Sequence, residues 1–347
     1  MTLKQIAQRA HVSCATVSYA LRNHPKIPAK TREHVQSVAR ALGYKPNPRV
    51  AALMAHMRRG RARPSGDRIA FVWMRTTREE ANRSTFLCTV LEGARGRAEQ
   101  GGYSLEEFWT ADAGMTDQRL QKIIRARGIT GVVLSPVMNA ETTLTLKWDW
   151  SEFAAAVIGN VSWQPELHHA GHHHYLGMRM CVLELAKLGC ARPAAIVEHA
   201  THERAKRAWE GSFLMHHPSP ADVRALWRLH TGDDPASHAR WLRKARPDAL
   251  IVSSTELLNL PGLFNAARDQ GLPVVTLHWH DEVRGIGGVD QCYGRVAAHA
   301  VDLVTAHLDH NELGQPDLPR IMLFIGNWLP PDVRLNCSVT GRATQTL

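Results

Sequence analysis

The stretch Thr2–Leu21, TLKQIAQRAHVSCATVSYAL, decides how the start of this chain folds. Thr2 followed by Gln5 has the spacing of a capping box, where two side chains reciprocally satisfy donors at a helix start. Leu3, Ile6, Ala7 and Ala10 then recur on one face at helical spacing. The chain turns at His11-Val12, and Ser13 is placed to cap a second helix over Cys14–Leu21, with Val17 and Leu21 pointing inward. Two short helices joined this way make a helix-turn-helix, whose second helix enters the DNA major groove N-terminus first. A third helix is expected from about Ala29 to Leu42, with Val35, Val38, Ala39 and Leu42 apolar and Gly43 as its stop.

Charge is divided in the same place. The 347 residues carry a formal net charge of +10. Residues 1–67 hold thirteen Lys/Arg against Glu33 and Asp67, which leaves 29 basic and 30 acidic residues for the rest. An excess confined to one end is the footprint of a polyanion-binding module, since each neutralised phosphate releases condensed counterions. The hydrophobic fraction of 44% supports sizeable cores and argues against wholesale disorder. No apolar run approaches the ~18 residues of a membrane span, so a cytoplasmic protein without a membrane partner is expected. The six cysteines (Cys14, Cys88, Cys181, Cys190, Cys292, Cys337) include no Cys-x-x-Cys pair and read as reduced thiols.

Thr2–Leu21, with Thr31-Arg-Glu-His-Val35 and Leu42-Gly-Tyr-Lys-Pro-Asn-Pro48, is similar to the headpiece of the lactose/galactose repressor family. The resemblance includes the core Ala7-x-x-Ala10-x-Val12-Ser13-x-x-Thr16-Val17-Ser18. It implies that Cys14, Ala15 and Tyr19 face base edges. Thr16, Ser18, Asn23 and Thr31 would then meet phosphates, which fix register without reading sequence. Thr2, Ser13, Tyr44, Asn47 and Ala51 complete the implied DNA-binding set. Two departures bear on the reading. Tyr19 stands where the family usually has Arg, the residue suited to a bidentate grip on guanine. His11 replaces the usual turn glycine. Asn47 and Pro48 are a good N-cap and first helical residue, and the resemblance makes Asn47–Met54 a hinge helix that folds on operator binding. Leu53 falls at the position of the minor-groove wedge; the alternative is an ordinary amphipathic helix packed on the protein. Arg58, Arg59, Arg61 and Arg63 with Gly60, Pro64 and Gly66 form a basic, breaker-rich linker.

From Arg68 onward short apolar runs alternate with helical patterns. Ile69–Met74, Ser104–Trp109, Gly131–Leu134, Ala155–Ile158, Pro193–Val197, Ala249–Ser253, Pro273–Leu277 and Ile321–Ile325 read as buried strands. Between them Thr85–Gly101, Asp117–Arg127, Gly177–Leu188, Ala239–Ala245, Leu257–Gln270 and Gly294–His307 read as helices. Such alternation implies parallel sheets. The order also resembles the family's sensor core, through Glu92-Gly93, Gly102-Tyr103, Arg127-Gly-Ile-Thr-Gly-Val-Val-Leu134, Leu188-Gly189, Arg246-Pro-Asp248 and Gly271-Leu-Pro-Val274. The expected fold is therefore an N-terminal all-α helix-turn-helix headpiece plus an α/β, type I periplasmic-binding-protein-like sensor core of two subdomains. The expected boundaries are 1–46 for the headpiece, 47–67 for hinge and linker, and 68–342 for the core. Within the core, 68–160 with 292–323 makes one subdomain and 161–291 with 324–342 the other.

Ligands in such folds sit where strand C-termini face the cleft. The effector-binding candidates by position are Arg75, Thr76, Ser135, Asn160, Arg207, Trp279, Asp281 and Gln291, with His173 and His174 where the family usually has Asp-Asn. Trp faces and Asp/Arg pairs suit a sugar. The implied function is a regulator, expected to repress, that binds a near-palindromic double-stranded operator as a homodimer under control of a small sugar-like effector. His168, His169 and His172–His174 are unusually dense, and His278-Trp279-His280-Asp281 could lie across the same cleft, so a metal-responsive regulator is the alternative. The histidines are bunched and no paired cysteines accompany them, and no metal, cofactor or catalytic residue is assigned. A phosphate loop, a nucleophile elbow and a dinucleotide fingerprint are all missing. An α/β enzyme with a DNA-binding appendage and an effector-free architectural DNA protein are the remaining readings.

Overall fold

The computed structural model describes residues 3–21, 27–44, 67–137, 143–232, 234–280 and 285–331. In the headpiece, α1 (Leu3–Ala10), α2 (Cys14–Ala20) and α3 (Ala29–Ala41) close around Ile6, Ala7, Ala10, Val17, Ala20, Val35 and Ala39. Leu3, Leu21, Val38 and Leu42 pack at the margin of that core, as the helical period requires. His11 takes a left-handed backbone in the turn, φ 53°, a conformation that costs a residue with a β-carbon roughly 1 kcal/mol. Beyond α3, Gly43 sits at φ 65°, and the amides of Gly43 and Tyr44 donate to the carbonyls of Arg40 and Ala39, both at 2.9 Å. This paired closure is the Schellman ending, and it needs a residue that tolerates positive φ at that point. The Gln36 side chain donates to the Ala20 carbonyl at 3.0 Å and ties α3 to the end of α2.

The larger region contains two six-stranded sheets. The first is built from β1 (Arg68–Trp73), β2 (Ser104–Trp109), β3 (Gly131–Leu134), β5 (Ala154–Ile158), β7 (His168–His172) and β13 (Ile321–Phe324). Its order is β13-β7-β5-β3-β1-β2, parallel throughout. A small ribbon of β4 (Thr143–Thr145) and β6 (Ser162–Gln164) adjoins it. The second sheet has the order β14-β12-β11-β10-β8-β9. Its strands are β8 (Pro193–Glu198), β9 (Trp227–His230), β10 (Ala249–Val252), β11 (Val274–Thr276), β12 (Gly287–Asp290) and β14 (Asn327–Leu329). Only the β12–β14 pair in it is antiparallel.

Helices cover both faces of the sheets, which is why the central strands are continuously apolar and not alternating. In the first subdomain, α4 (Arg78–Arg83) and α5 (Thr85–Gln100) follow β1, α6 (Asp117–Ala126) follows β2, and α12 (Tyr293–His310) lies beside α5. The α5–α12 seam is so close that a β-carbon on Gly93 would collide with the Gly294 backbone. On the opposite face Leu120 and Ile124 pack with Trp148, Trp150 and Phe153. The second subdomain carries α7 (His174–Lys187), α8 (His199–Arg204), α9 (Ala208–His216), α10 (Pro235–Ala245) and α11 (Leu263–Asp269).

Three features differ from the sequence reading. The first crossing between subdomains comes after β7, not at about residue 160. Residues 168–172 pair with β5 and β13 and belong to the first sheet, so the first subdomain extends to the end of β7. The His-dense segment, to which the apolar pattern assigns no element, forms a strand over His168–His172, with His168 and His172 buried. Finally, the single helix expected over Leu257–Gln270 is broken. A 3-10 turn, Thr255–Asn259, is separated from α11 by Pro261 and by Gly262 at φ 72°.

Candidate DNA interface and effector cleft

The start of α2 is built by one hydroxyl. Ser13 Oγ accepts from the Thr16 amide at 3.0 Å and shares a 2.9 Å hydrogen bond with Thr16 Oγ1. Val17 and Ala20 anchor the inner face, which leaves Cys14, Ala15 and Tyr19 exposed on the outer face. Thr16, Ser18 and Thr31 are half-buried beside them. Tyr44 packs against the three-helix core, so its ring is structural. Thr2, Asn23, Asn47, Ala51 and Leu53 lie outside the described residues.

Between the two sheets, at the C-terminal ends of their strands, lies a cavity of about 400 Å³. Three of the ten effector candidates line it: Asn160 after β5, His174 at the start of α7, and Gln291 after β12. Asn160 Nδ2 donates to the His172 carbonyl at 2.8 Å, and Gln291 Nε2 donates to the Leu277 carbonyl at 2.6 Å. His278 and His280 also line it, across from Asn160.

Six other candidates do not line this cavity. Arg75 is exposed at φ 55°, and Thr76 Oγ1 donates to the Met74 carbonyl. Ser135 Oγ accepts from the Met74 amide at 2.9 Å and so braces β1 against β3. His173 caps α7, while Arg207 sits at φ 57° and pairs with Glu203 at 3.0 Å. Trp279 donates through Nε1 to the Ile286 carbonyl and lines only a smaller annexe of about 170 Å³. Asp281 lies outside the described residues.

The sequence reading missed Phe86, Trp209, Ser254, Glu256 and Tyr293, and it placed Arg207 where Arg204 in fact lines the wall. Their signal is positional only: each lies beyond a strand end, and the short helices α4, α8 and α9 that fix where they fall are not among the elements the apolar pattern predicts. Two polar atoms in this wall are buried with no hydrogen-bond partner among the described residues: His174 Nδ1 and Trp209 Nε1. An indole N–H can only donate, and a buried donor left unmet costs roughly 1–3 kcal/mol. Burial first, then neighbouring His172 and His278, pushes the His174 imidazolium well below its usual range. Burial and then His280 push His278 down to about 4. Both rings are therefore neutral at pH 7, each offering one donor and one acceptor. Arg83 and Arg204 are balanced in formal charge by Glu198 and Glu256. Such a wall suits an uncharged ligand rich in hydroxyls. Among the described residues no three His, Cys, Asp or Glu side chains converge as metal ligands, and no helix is long and apolar enough to cross a membrane.

Residues 2–47 match the model of the bacterial regulatory proteins of the lacI family. The regulator MalR of Staphylococcus xylosus is 25% identical over 134 residues, 39% of this chain and 37% of its own length. The repressor CytR of Escherichia coli K12 is 49% identical over 47 residues, 14% of this chain and of its own. The chain thus matches about a third and a seventh of the lengths of these relatives. Among solved structures, the regulator CelR in complex with cellobiose superposes with a TM-score of 0.56 and 17% identity. That match covers 96% of this chain and 99% of CelR. The lac repressor dimer bound to operator and an anti-inducer gives 0.51 and 17%, with the same coverages. At such identities the likeness is one of fold, headpiece plus two-subdomain core.

Proposed function

We propose that this chain, whose residues 2–47 match the lacI-family model, is a regulator of the lactose/galactose repressor family, an operator-binding repressor released or recruited by a small neutral polyol, most simply a sugar. The observation that carries the effector half is the cavity between the sheets with two polar atoms in its wall, His174 Nδ1 and Trp209 Nε1, unmet among the described residues. Hydroxyls both donate and accept, so a sugar can meet an indole N–H and a neutral imidazole together. CelR is described with bound cellobiose, which supports a ligand of this class in a fold of this kind.

On the DNA side, two protomers would present their α2 helices to two half-sites about one helical turn apart, with the paired Leu53 side chains at the operator centre. Effector binding would alter how the subdomains meet and so whether the hinge segments can pair. A coupling of ~1–3 kcal/mol is enough for regulation. Selection from a random duplex library with the full chain tests this: it should return a near-palindrome, and a sequence without two-fold symmetry would argue against the dimeric reading. A thermal-shift screen of neutral sugars, sugar phosphates and divalent metals tests the effector, with stabilisation by neutral sugars expected. Stabilisation by a metal alone would favour the metal-responsive alternative.

A further inference from the structure

The second crossing between subdomains is flanked by three rings that touch. Phe86, in the first turn of α5, stands edge-on to His278 at 4.9 Å between centroids and 83° between planes. It stands edge-on to Tyr293 at 4.9 Å and 78°. His278 and Tyr293 are 6.1 Å apart. These are the separations and tilts that aromatic quadrupoles favour. Phe86 and Tyr293 belong to the first subdomain, whereas His278 follows β11 in the second. The Phe86–His278 contact therefore spans the cleft.

The same three residues line both the main cavity and the annexe. They form the partition between the two spaces, so a molecule filling either one meets this cluster. His278 is uncharged at neutral pH and packs as a plain aromatic ring, facing His280, Glu256 and Asp290. Phe86 is half-buried and Leu87 beside it is fully packed, so its ring is held by α5 but is not part of the sheet core.

We propose that the Phe86–His278–Tyr293 cluster is an inter-subdomain latch, the positioning element through which cleft occupancy sets how the two subdomains meet. Its consequence at DNA rests on the regulator reading above, but its test does not. A ligand that parts the rings weakens the tie between subdomains; one that packs against them strengthens it. Either way the signal passes through residues of both subdomains at the cleft, and no contact with the headpiece is needed.

The experiment is hydrogen–deuterium exchange on the ligand-free full chain, as a double-mutant cycle of Phe86→Ala and His278→Ala. Phe86→Ala should speed exchange in residues 276–280 of the opposite subdomain about two- to tenfold, the range set by one edge-to-face pair. His278→Ala should do the same for residues 85–89. The double variant should be no faster than His278→Ala, because that change alone already removes both ring contacts across the cleft. Exchange in β3 and β10, the sheet centres, should stay unchanged. Phe86→Leu, which keeps apolar bulk but no ring, should give the same cross-cleft increase. The proposal is overturned by unchanged exchange at 276–280 in Phe86→Ala, by additive effects in the double variant, or by a matching rise in β3 and β10 with Phe86→Leu. Failure of operator selection would leave this exchange result standing, so the two readings fail separately.

Discussion

Ser13→Ala isolates the residue that starts α2, the helix proposed to face DNA. In α2, only seven residues long, Ser13 Oγ is the acceptor for the Thr16 amide at 3.0 Å. Losing an N-cap of this kind costs about 1 kcal/mol, within a range of about 0.5–2. Since 1.4 kcal/mol is about tenfold in an equilibrium, the first turn should open about five times more often. That turn carries the exposed Cys14 and Ala15, so fraying there reaches the proposed DNA-facing surface directly. Amide exchange at Thr16 and Val17, followed by NMR in the full chain, should accelerate about fivefold, and affinity for a selected operator should fall by a similar factor. Ser13→Asp separates the two roles. Aspartate caps as well as serine, and its charge suits a helix N-terminus, so exchange should return to the parent rate. Its charge repels phosphate, so operator affinity should fall further than in Ser13→Ala. Unchanged exchange in Ser13→Ala, or parent affinity in Ser13→Asp, would refute the reasoning.

Three other outcomes follow from the same account. Leu53→Ala should reduce both operator affinity and DNA bending in a gel-mobility assay; unaltered bending would remove the wedge role. Gly93→Ala should lower the chemical-denaturation stability of the first subdomain by about 1–3 kcal/mol, because the added carbon overpacks the α5–α12 seam; a neutral result would mean the helices separate freely. The third concerns pH. Burial is the leading cause that pushes His168, His238 and His278 down to about 4 and His172 to about 3, from 6.5. The unfolded chain therefore takes up protons first as pH falls, so the stability present above 6.5 is lost progressively between 6.5 and about 4. The thermal midpoint should be lower at pH 5 than at pH 7.5, and an increase would contradict the buried neutral histidines.

The parts of this molecule that sequence made legible are those where local pattern and packing agree. Ile6, Val17 and Val35 sit at helical spacing and are the headpiece core; Gly43 marks a helix stop and closes it. The apolar runs of β1, β3, β5, β8 and β10 are long enough to identify buried strands. What was hidden depended on contacts distant in sequence. Residues 168–172 look polar, yet His168 and His172 are buried between β5 and β13, partners that no local pattern announces. The helix α4 did carry a readable signal. Thr77 and Glu80 form a reciprocal capping box, with the Thr77 amide donating to Glu80 at 2.8 Å. The cleft was the least legible region. Counting forward from strand ends found Asn160, His174 and Gln291, but Arg75, Thr76 and Ser135 turn their side chains to backbone or solvent. Trp209 and Ser254 enter the wall only because α9 and the loop after β10 fold over it.

On the proposed reading, DNA is gripped by the basic N-terminal headpiece and by nothing in the nearly neutral remainder. The most direct measurement compares binding of a selected operator by the full chain and by the chain lacking residues 1–60, across a salt series. The full chain should bind with an affinity that falls steeply and linearly in log salt, as counterion release requires, and the shortened chain should not bind. Retained operator binding after removal of residues 1–60 would contradict the account.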